Sequence, residues 1–228
     1  MKKPTTDSKQ NHVPPTAELF IATGCAHCPN VLNELNNQLK SGKLSQLQTT
    51  NIAVDNDRAT QLNIRSVPWL RIENSASSMI LAGNYTAKEI SHWIDISADE
   101  KGMSEYIETF LGEGNLATVI QAIEISPAAF SSVINMLEDE ETGMEIRIGL
   151  DALLENFAAT ATLQKYSLRL KKMAENNNVR LQIDALHYLA LTGDASYKIF
   201  LSEKTQDKNN QVKEAAMEAL ETLSELLE

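Results

Sequence analysis

From residue 146 to the end of the chain, one short pattern returns at an even spacing. Ile146-Arg147 precedes Leu150-Asp151-Ala152-Leu153, Val179-Arg180 precedes Ile183-Asp184-Ala185-Leu186, and Val212-Lys213 precedes Met217-Glu218-Ala219-Leu220. The basic positions are 33 residues apart both times, with one extra residue inside the last unit. Ahead of each lies an acidic or Asn-rich stretch (138–143, 175–178 and 207–211), and ahead of that an apolar helical run (130–137, 163–173 and 197–201). A helix–turn–helix unit at a fixed period cannot bury its apolar side alone, so the units must stack. The pattern therefore predicts an all-α solenoid over 126–228. Strand signal is already nearly absent from Lys101 onward. Short helical runs at 105–111 and 116–125 are split by Gly112 and Gly114, and Ser126-Pro127 reads as a cap with proline at the first helical position. Residues 97–125 are accordingly expected to be a helical linker or capping helices.

Charge divides the chain at the same place. The formal net charge is −11, but residues 1–96 carry nine Lys/Arg against eight Asp/Glu, whereas residues 97–228 carry eleven against twenty-three. A break of this kind indicates two units with different surfaces. The acidic half repels phosphate backbones and anionic lipid, so neither nucleic acid nor membrane is an expected partner. No apolar run approaches the roughly 20 residues that span a bilayer. Residues 1–15 hold Lys2, Lys3 and Lys9 with Pro4, Pro14 and Pro15 and no apolar core, which reads as a flexible polar tail and not as a secretory signal. The expected location is the cytoplasm, where two cysteines are more often catalytic or metal-binding than a structural staple.

Residues 16–96 read differently from the rest. The run 17–22 (AELFIA) is a short buried strand ended by Thr23-Gly24. A helix follows from Cys28 or Pro29, with Val31, Leu32, Leu35 and Leu39 at helical spacing, and Gly42 closes it. Residues 47–54 form a second strand, 57–62 a short helix, and 68–72 with 78–81 a strand pair around a polar turn. Thr86 with Glu89 three residues on is a capping box for a last helix whose apolar face is Ile90, Trp93 and Ile94. The order βαβαββα combines a crossover with a hairpin, which implies a mixed sheet with helices on both faces.

The only two cysteines, Cys25 and Cys28, fall at the start of the first of these helices. Thiols three positions apart on a first turn are close enough to form a disulfide. Unpaired amides and the positive helix end favour a thiolate on the first of them, so Cys25 is the expected nucleophile and Cys28 the resolving thiol. His27, as imidazolium, would stabilise that thiolate further. Two other readings stay open: inert cysteines, or a zinc site using His27 and the distant His12, which makes a poor ligand set. His92 and His187 read as ordinary helix residues.

A strand ending in Gly24-Cys25-Ala26-His27-Cys28, a helix leaving that motif, and Ser66-Val67-Pro68 opening a later strand resemble the thioredoxin/glutaredoxin superfamily. Gly83-Asn84 after the last strand fits it as well. The resemblance covers less than half of the chain. It implies a cis peptide at Pro68 facing the cysteines, backbone hydrogen bonds from Val67 to a substrate strand, and a substrate surface of Gly24, Ala26, Val67 and Trp69. It also implies no cofactor beyond the redox-active disulfide; glutathione is a candidate ligand, although the lysine expected before a glutaredoxin motif is absent. Gly24 stands where thioredoxins usually carry tryptophan, Pro29 lies outside the pair, and Trp69 is either a core ring or a platform beside the site. The family's buried acidic residue is missing, since Glu18 is expected to face solvent.

The recurring valine, basic residue, alanine and leucine of the second half resemble HEAT repeats, although 33 residues is short for them. Arg147, Arg180 and Lys213, with Asp151, Asp184 and Glu218, are expected to be repeated scaffold positions pairing within or between repeats. Together these readings imply a dithiol–disulfide oxidoreductase acting on protein or small disulfides, with the repeats recruiting a protein substrate or redox partner. The competing reading is a non-enzymatic interaction or chaperone-like module with a redox-switchable fold.

Overall fold

The computed structural model describes residues 13–75, 77–97 and 101–228; the reading of residues 1–12 as a polar tail therefore lies outside the described residues. The chain forms two compact units. The first takes residues up to 106 together with 121–129, and the second takes 107–120 and 130–228.

In the first unit the order is β1 (Thr16–Ile21), α1 (Cys28–Lys40), β2 (Gln46–Asn51), α2 (Asn56–Gln61), β3 (Trp69–Glu73), β4 (Ser78–Ala82) and α3 (Ala87–Ser97). The sheet runs β2-β1-β3-β4; β1 is parallel to β2 and antiparallel to β3, and β3 is antiparallel to β4. This is the mixed α/β arrangement that the pattern implies. Pleat alternation puts Ala17, Leu19, Leu70 and Ile72 on one face and Glu18, Phe20, Trp69 and Arg71 on the other. Helices α1 and α3 pack on each other and on the strands, burying Val31, Leu35, Ile90, Trp93 and Ile94. The capping box forms in both directions: the Glu89 amide donates to Thr86 Oγ1 (3.3 Å) and the Thr86 amide to Glu89 Oε2 (2.7 Å). The Thr86 amide and then its hydroxyl (2.8 Å), both donating to Glu89 Oε2, hold the Glu89 carboxyl below the usual carboxylate range.

Glu18 is a correction to the sequence reading. It is 5% exposed instead of facing solvent. Its carboxylate accepts from Arg58 Nε (3.1 Å) and Nη2 (3.3 Å) on α2 and pairs with Arg71 Nη2 (2.8 Å) on β3. Two guanidiniums compensate the desolvation that would otherwise exclude a carboxylate from the sheet. Neither arginine is near Glu18 in sequence, so nothing local announces the burial.

Two further helices begin the helical half: α4 (Gly102–Gly112) and α5 (Leu116–Ile125), each running from one unit into the other. Edge strand β4 is closed by Tyr106, the α4 residue nearest the end of the first unit. Its hydroxyl accepts the Ile80 amide (3.1 Å) and donates to the Ile80 carbonyl (2.9 Å). One side chain thereby satisfies both backbone groups that an open edge would leave unpaired. Burial pushes the phenol pKa well up, so it stays a donor.

The second unit is wholly helical among its described residues. It continues with α6 (Phe130–Glu138), α7 (Met144–Asn156), α8 (Ala161–Gln164), α9 (Ser167–Ala174), α10 (Val179–Leu191), α11 (Lys198–Lys204) and α12 (Asn210–Leu226). Helix α6 packs on α7, α9 on α10 and α11 on α12, while α10 also packs on α7 and α12. Asn178 and Asn209 cap α10 and α12 by accepting first-turn amides. Buried Ile146, Leu150, Leu153 and Phe157 recur 66 residues later as Val212, Ala216, Ala219 and Leu223. In α10 the matching buried positions are Leu181, Ala185, Tyr188 and Thr192, two residues later than an even 33 predicts. The three basic residues are consequently not equivalent. Arg147 is 5% exposed, whereas Arg180, in the first turn after the Asn178 cap, is exposed and its guanidinium donates to the Glu140 carbonyl (3.3 Å).

Arg147 organises the α6–α7 turn. Its guanidinium donates to the carbonyls of Thr142 (3.2 Å), Leu137 (3.5 Å) and Asp139 (2.6 Å), and pairs with Asp184 of α10 at 3.6 Å. A cation there satisfies carbonyls that α6 leaves without intrahelical partners. Asp151 accepts from Tyr188, so the Asp151 and Asp184 positions share one network between α7 and α10, while Glu218 is exposed.

Two predictions follow from these locks. Tyr106→Phe leaves the Ile80 edge groups unpaired and is expected to lower stability by about 1–3 kcal/mol in urea denaturation; an unchanged midpoint would show that the edge does not need it. Arg147→Met strands Asp184, whose carboxyl pKa is already raised, by burial first and then by Asp151. A raised folded pKa means stability that is present in acid and lost as pH rises through it. The variant is therefore expected to lose about 3 kcal/mol near neutral pH and less near pH ~4; a deficit independent of pH would contradict the pairing.

Candidate functional site

Strand β1 ends at Ile21, and the Cys25 amide donates back to the Ala22 carbonyl (3.2 Å), turning the chain toward α1. Gly24 makes that turn at φ 83°, a left-handed conformation that a side chain disfavours. The loop is braced across the sheet, where Asn51 Nδ2 donates to Thr23 Oγ1 (3.4 Å). Helix α1 then begins at Cys28, with His27 in the capping position but making no side-chain cap, and Pro29 in the first turn. Proline costs nothing there because its amide would have had no intrahelical partner.

Cys25 and Cys28 are joined in a disulfide, with Cα atoms 5.6 Å apart. The two sulfurs have unlike surroundings. Cys28, the first residue of α1, is 4% exposed, whereas Cys25 is half-buried and flanked by exposed Gly24, Ala26 and His27. The Cys28 amide donates to Cys25 Sγ at 3.2 Å. That first-turn donor would stabilise a thiolate on Cys25 once the disulfide is reduced. On its other side Cys25 Sγ lies 3.9 Å from the Val67 carbonyl oxygen. The Val67–Pro68 peptide is cis, and Pro68 is buried.

The fold thus brings together Cys25, Cys28, Val67 and Pro68 from β1, α1 and the segment leading into β3. Trp69 is the member it withdraws. The ring is 2% exposed, edge-on to Phe20 (5.4 Å between centroids), with Nε1 donating to Gln121 (3.4 Å). It is a core ring and presents no face to a ligand. Glu18 is engaged by Arg58 and Arg71. Among the described residues, no group of three or more His, Cys, Asp or Glu side chains is arranged to hold a metal ion; His12 lies outside them.

Gln121 is a residue that sequence reasoning missed. Its amide accepts from Trp69 Nε1 and donates to the Leu62 carbonyl at 2.7 Å, so one α5 side chain holds both ends of the segment that carries Val67–Pro68. The available signal was weak: an uncharged polar residue inside the apolar run LATVIQAIEI. Comparison with protein-family models and with curated proteins returns no match.

Gln121→Leu leaves the Leu62 carbonyl and the Trp69 N–H without partners. It is expected to cost about 1–3 kcal/mol and to accelerate hydrogen–deuterium exchange selectively over residues 62–70. Exchange there equal to the parent's would show that Gln121 does not hold the segment.

Proposed function

We propose that this chain is a thiol–disulfide oxidoreductase acting on protein disulfides, with residues 16–96 as a thioredoxin-like domain and HEAT-like helical repeats that recruit the protein partner. The observation that carries the reading is the asymmetry of the cysteine pair. Cys25 is accessible and receives a helix-start amide; Cys28 is enclosed and within bonding reach of it. A nucleophile and its resolving thiol require that division of exposure.

In the reduced chain, the Cys25 thiolate attacks one sulfur of a substrate disulfide. A Cys25–substrate bond forms, the substrate S–S bond breaks, and the departing thiolate takes a proton from water. Cys28, losing its proton, then attacks Cys25 Sγ. The mixed disulfide breaks, the second substrate thiol leaves, and the Cys25–Cys28 disulfide remains. Two electrons have passed to the substrate, and a dithiol donor must return them before another cycle. The same steps reversed oxidise a substrate dithiol. Val67 lies beside Cys25, where its backbone can pair with an extended substrate segment, and Gly24 and Ala26 leave the approach unobstructed.

Insulin reduction with dithiothreitol as donor tests this. Cys25→Ser is expected to fall to the uncatalysed background; Cys28→Ser, reduced beforehand and mixed with insulin without free dithiothreitol, should accumulate mixed disulfides that added dithiothreitol then releases. In the reduced chain iodoacetamide should label Cys25 before Cys28, with a Cys25 pKa below the ordinary ~8.5 of a thiol. Parent-level turnover in both serine variants would overturn the reading.

A further inference from the structure

The helical half is acidic as a whole, yet one face of it is not. Residues 161–174, covering α8 and α9, carry four Lys/Arg and no Asp or Glu, and α11 carries two Lys against one Glu. Everything else in 97–228 carries five Lys/Arg against twenty-two Asp/Glu. The two basic helices lie side by side, since the Lys171 ammonium of α9 sits 5.2 Å from the centre of the Phe200 ring of α11, which Lys204 also approaches at 5.8 Å. This face also holds two strongly exposed aliphatic side chains of the chain, Leu168 at 76% and Ile199 at 74%. Lys165 and Lys172, three before and four after Leu168, are exposed beside it, as is Lys198 beside Ile199. The basic residues already engaged are Arg169 with Glu138 (2.6 Å), Lys171 with Glu175 (3.8 Å) and Lys204 with Asp207 (4.0 Å). Among the described residues, Lys165, Lys172 and Lys198 have no such pairing.

An exposed leucine or isoleucine alone needs no explanation. Two of them on neighbouring helices inside an acidic unit, Leu168 between Lys165 and Lys172 and Ile199 beside Lys198 and Glu203, make a surface of specific chemistry: an apolar centre with a mainly cationic rim. We propose that the α9–α11 face docks an acidic amphipathic segment of a partner protein. The segment's aliphatic side chains would cover Leu168 and Ile199, and its carboxylates would meet Lys165, Lys172 and Lys198. An anionic membrane fits less well. A broad anionic surface would face the acidic remainder of the unit, whereas a short segment senses charge only within a Debye length of about 8 Å. The inference rests on the recruiting role proposed for the repeats and is independent of the thiol chemistry.

The full chain is titrated, by fluorescence anisotropy, against a labelled synthetic helical peptide with leucines at i, i+3, i+4 and i+7 and glutamates between. The same composition in scrambled order is the control. Saturable binding that weakens with added salt is expected for the patterned peptide alone. Leu168→Ser and Ile199→Ser, both at exposed positions, should each weaken it by up to about tenfold. Lys165→Glu with Lys172→Glu should remove most of the salt dependence, with circular dichroism unchanged. The proposal is overturned if no saturable binding occurs, or if the variants bind like the parent. It is overturned equally if phosphatidylserine vesicles retain the chain while the peptide does not, or if the face instead mediates self-association that Leu168→Ser abolishes. Cys25→Ser is expected to bind as the parent does. A chain that binds peptide without disulfide turnover refutes only the redox reading, and one that turns over disulfides without binding peptide refutes only the docking face.

Discussion

The antiparallel register between β1 and β3 sets the geometry of the candidate site. Phe20 lies opposite Trp69 and Glu18 opposite Arg71. Continued past the last pair, the same register carries Val67 toward Ala22, three residues before Cys25, and Cys25 Sγ ends 3.9 Å from the Val67 carbonyl. Both faces of β1 are buried, and a slip of one residue would exchange them, setting Leu19 where Glu18 meets its arginines. The register is held at its last pair by two aromatic rings in edge contact and at its middle pair by a carboxylate between two guanidiniums. Apolar packing alone tolerates sliding; a buried Glu18 opposite the wrong partner would not.

A common device runs through both units. Polar side chains inside the structure satisfy several backbone or charged groups at places where the fold would otherwise be open. Tyr106 closes the free edge of β4, Gln121 holds both ends of the 62–69 segment, and Arg147 collects three carbonyls at the α6–α7 turn. Each leaves an unsatisfied group if removed, and that asymmetry makes such positions more specific than an equal area of apolar contact. Tyr106 and Gln121 also explain why the first unit does not end with α3: its sheet is completed by residues from the helical segment that follows.

The two units differ in chemical character. The first presents a single half-exposed sulfur at a helix start. The second is acidic scaffold with one basic, partly apolar face. Under the proposed disulfide exchange, surface away from the sulfur would add partner selectivity to the contacts beside Cys25. The α9–α11 face has the composition for that role.

Much of this was legible in the residues themselves. Element order, the capping box at Thr86 and Glu89, the cysteine pair opening α1 and the helical character of the second half all follow from local spacing, because periodicity and caps are properties of a few consecutive residues. Everything that depended on partners distant in sequence was not legible. Glu18 reads as a solvent residue until Arg58 and Arg71 reach it; Trp69 reads as either core or platform until Phe20 and Gln121 enclose it. Arg147 and Arg180 look equivalent at a spacing of 33, yet one is buried and the other exposed, because the buried stripe of α10 starts two residues later. By itself the sequence determined which segments are helix or strand and where the thiols sit. Tertiary packing decided which sulfur is open, which charges are buried and which repeat positions truly correspond, because burial depends on what other elements bring to a side chain.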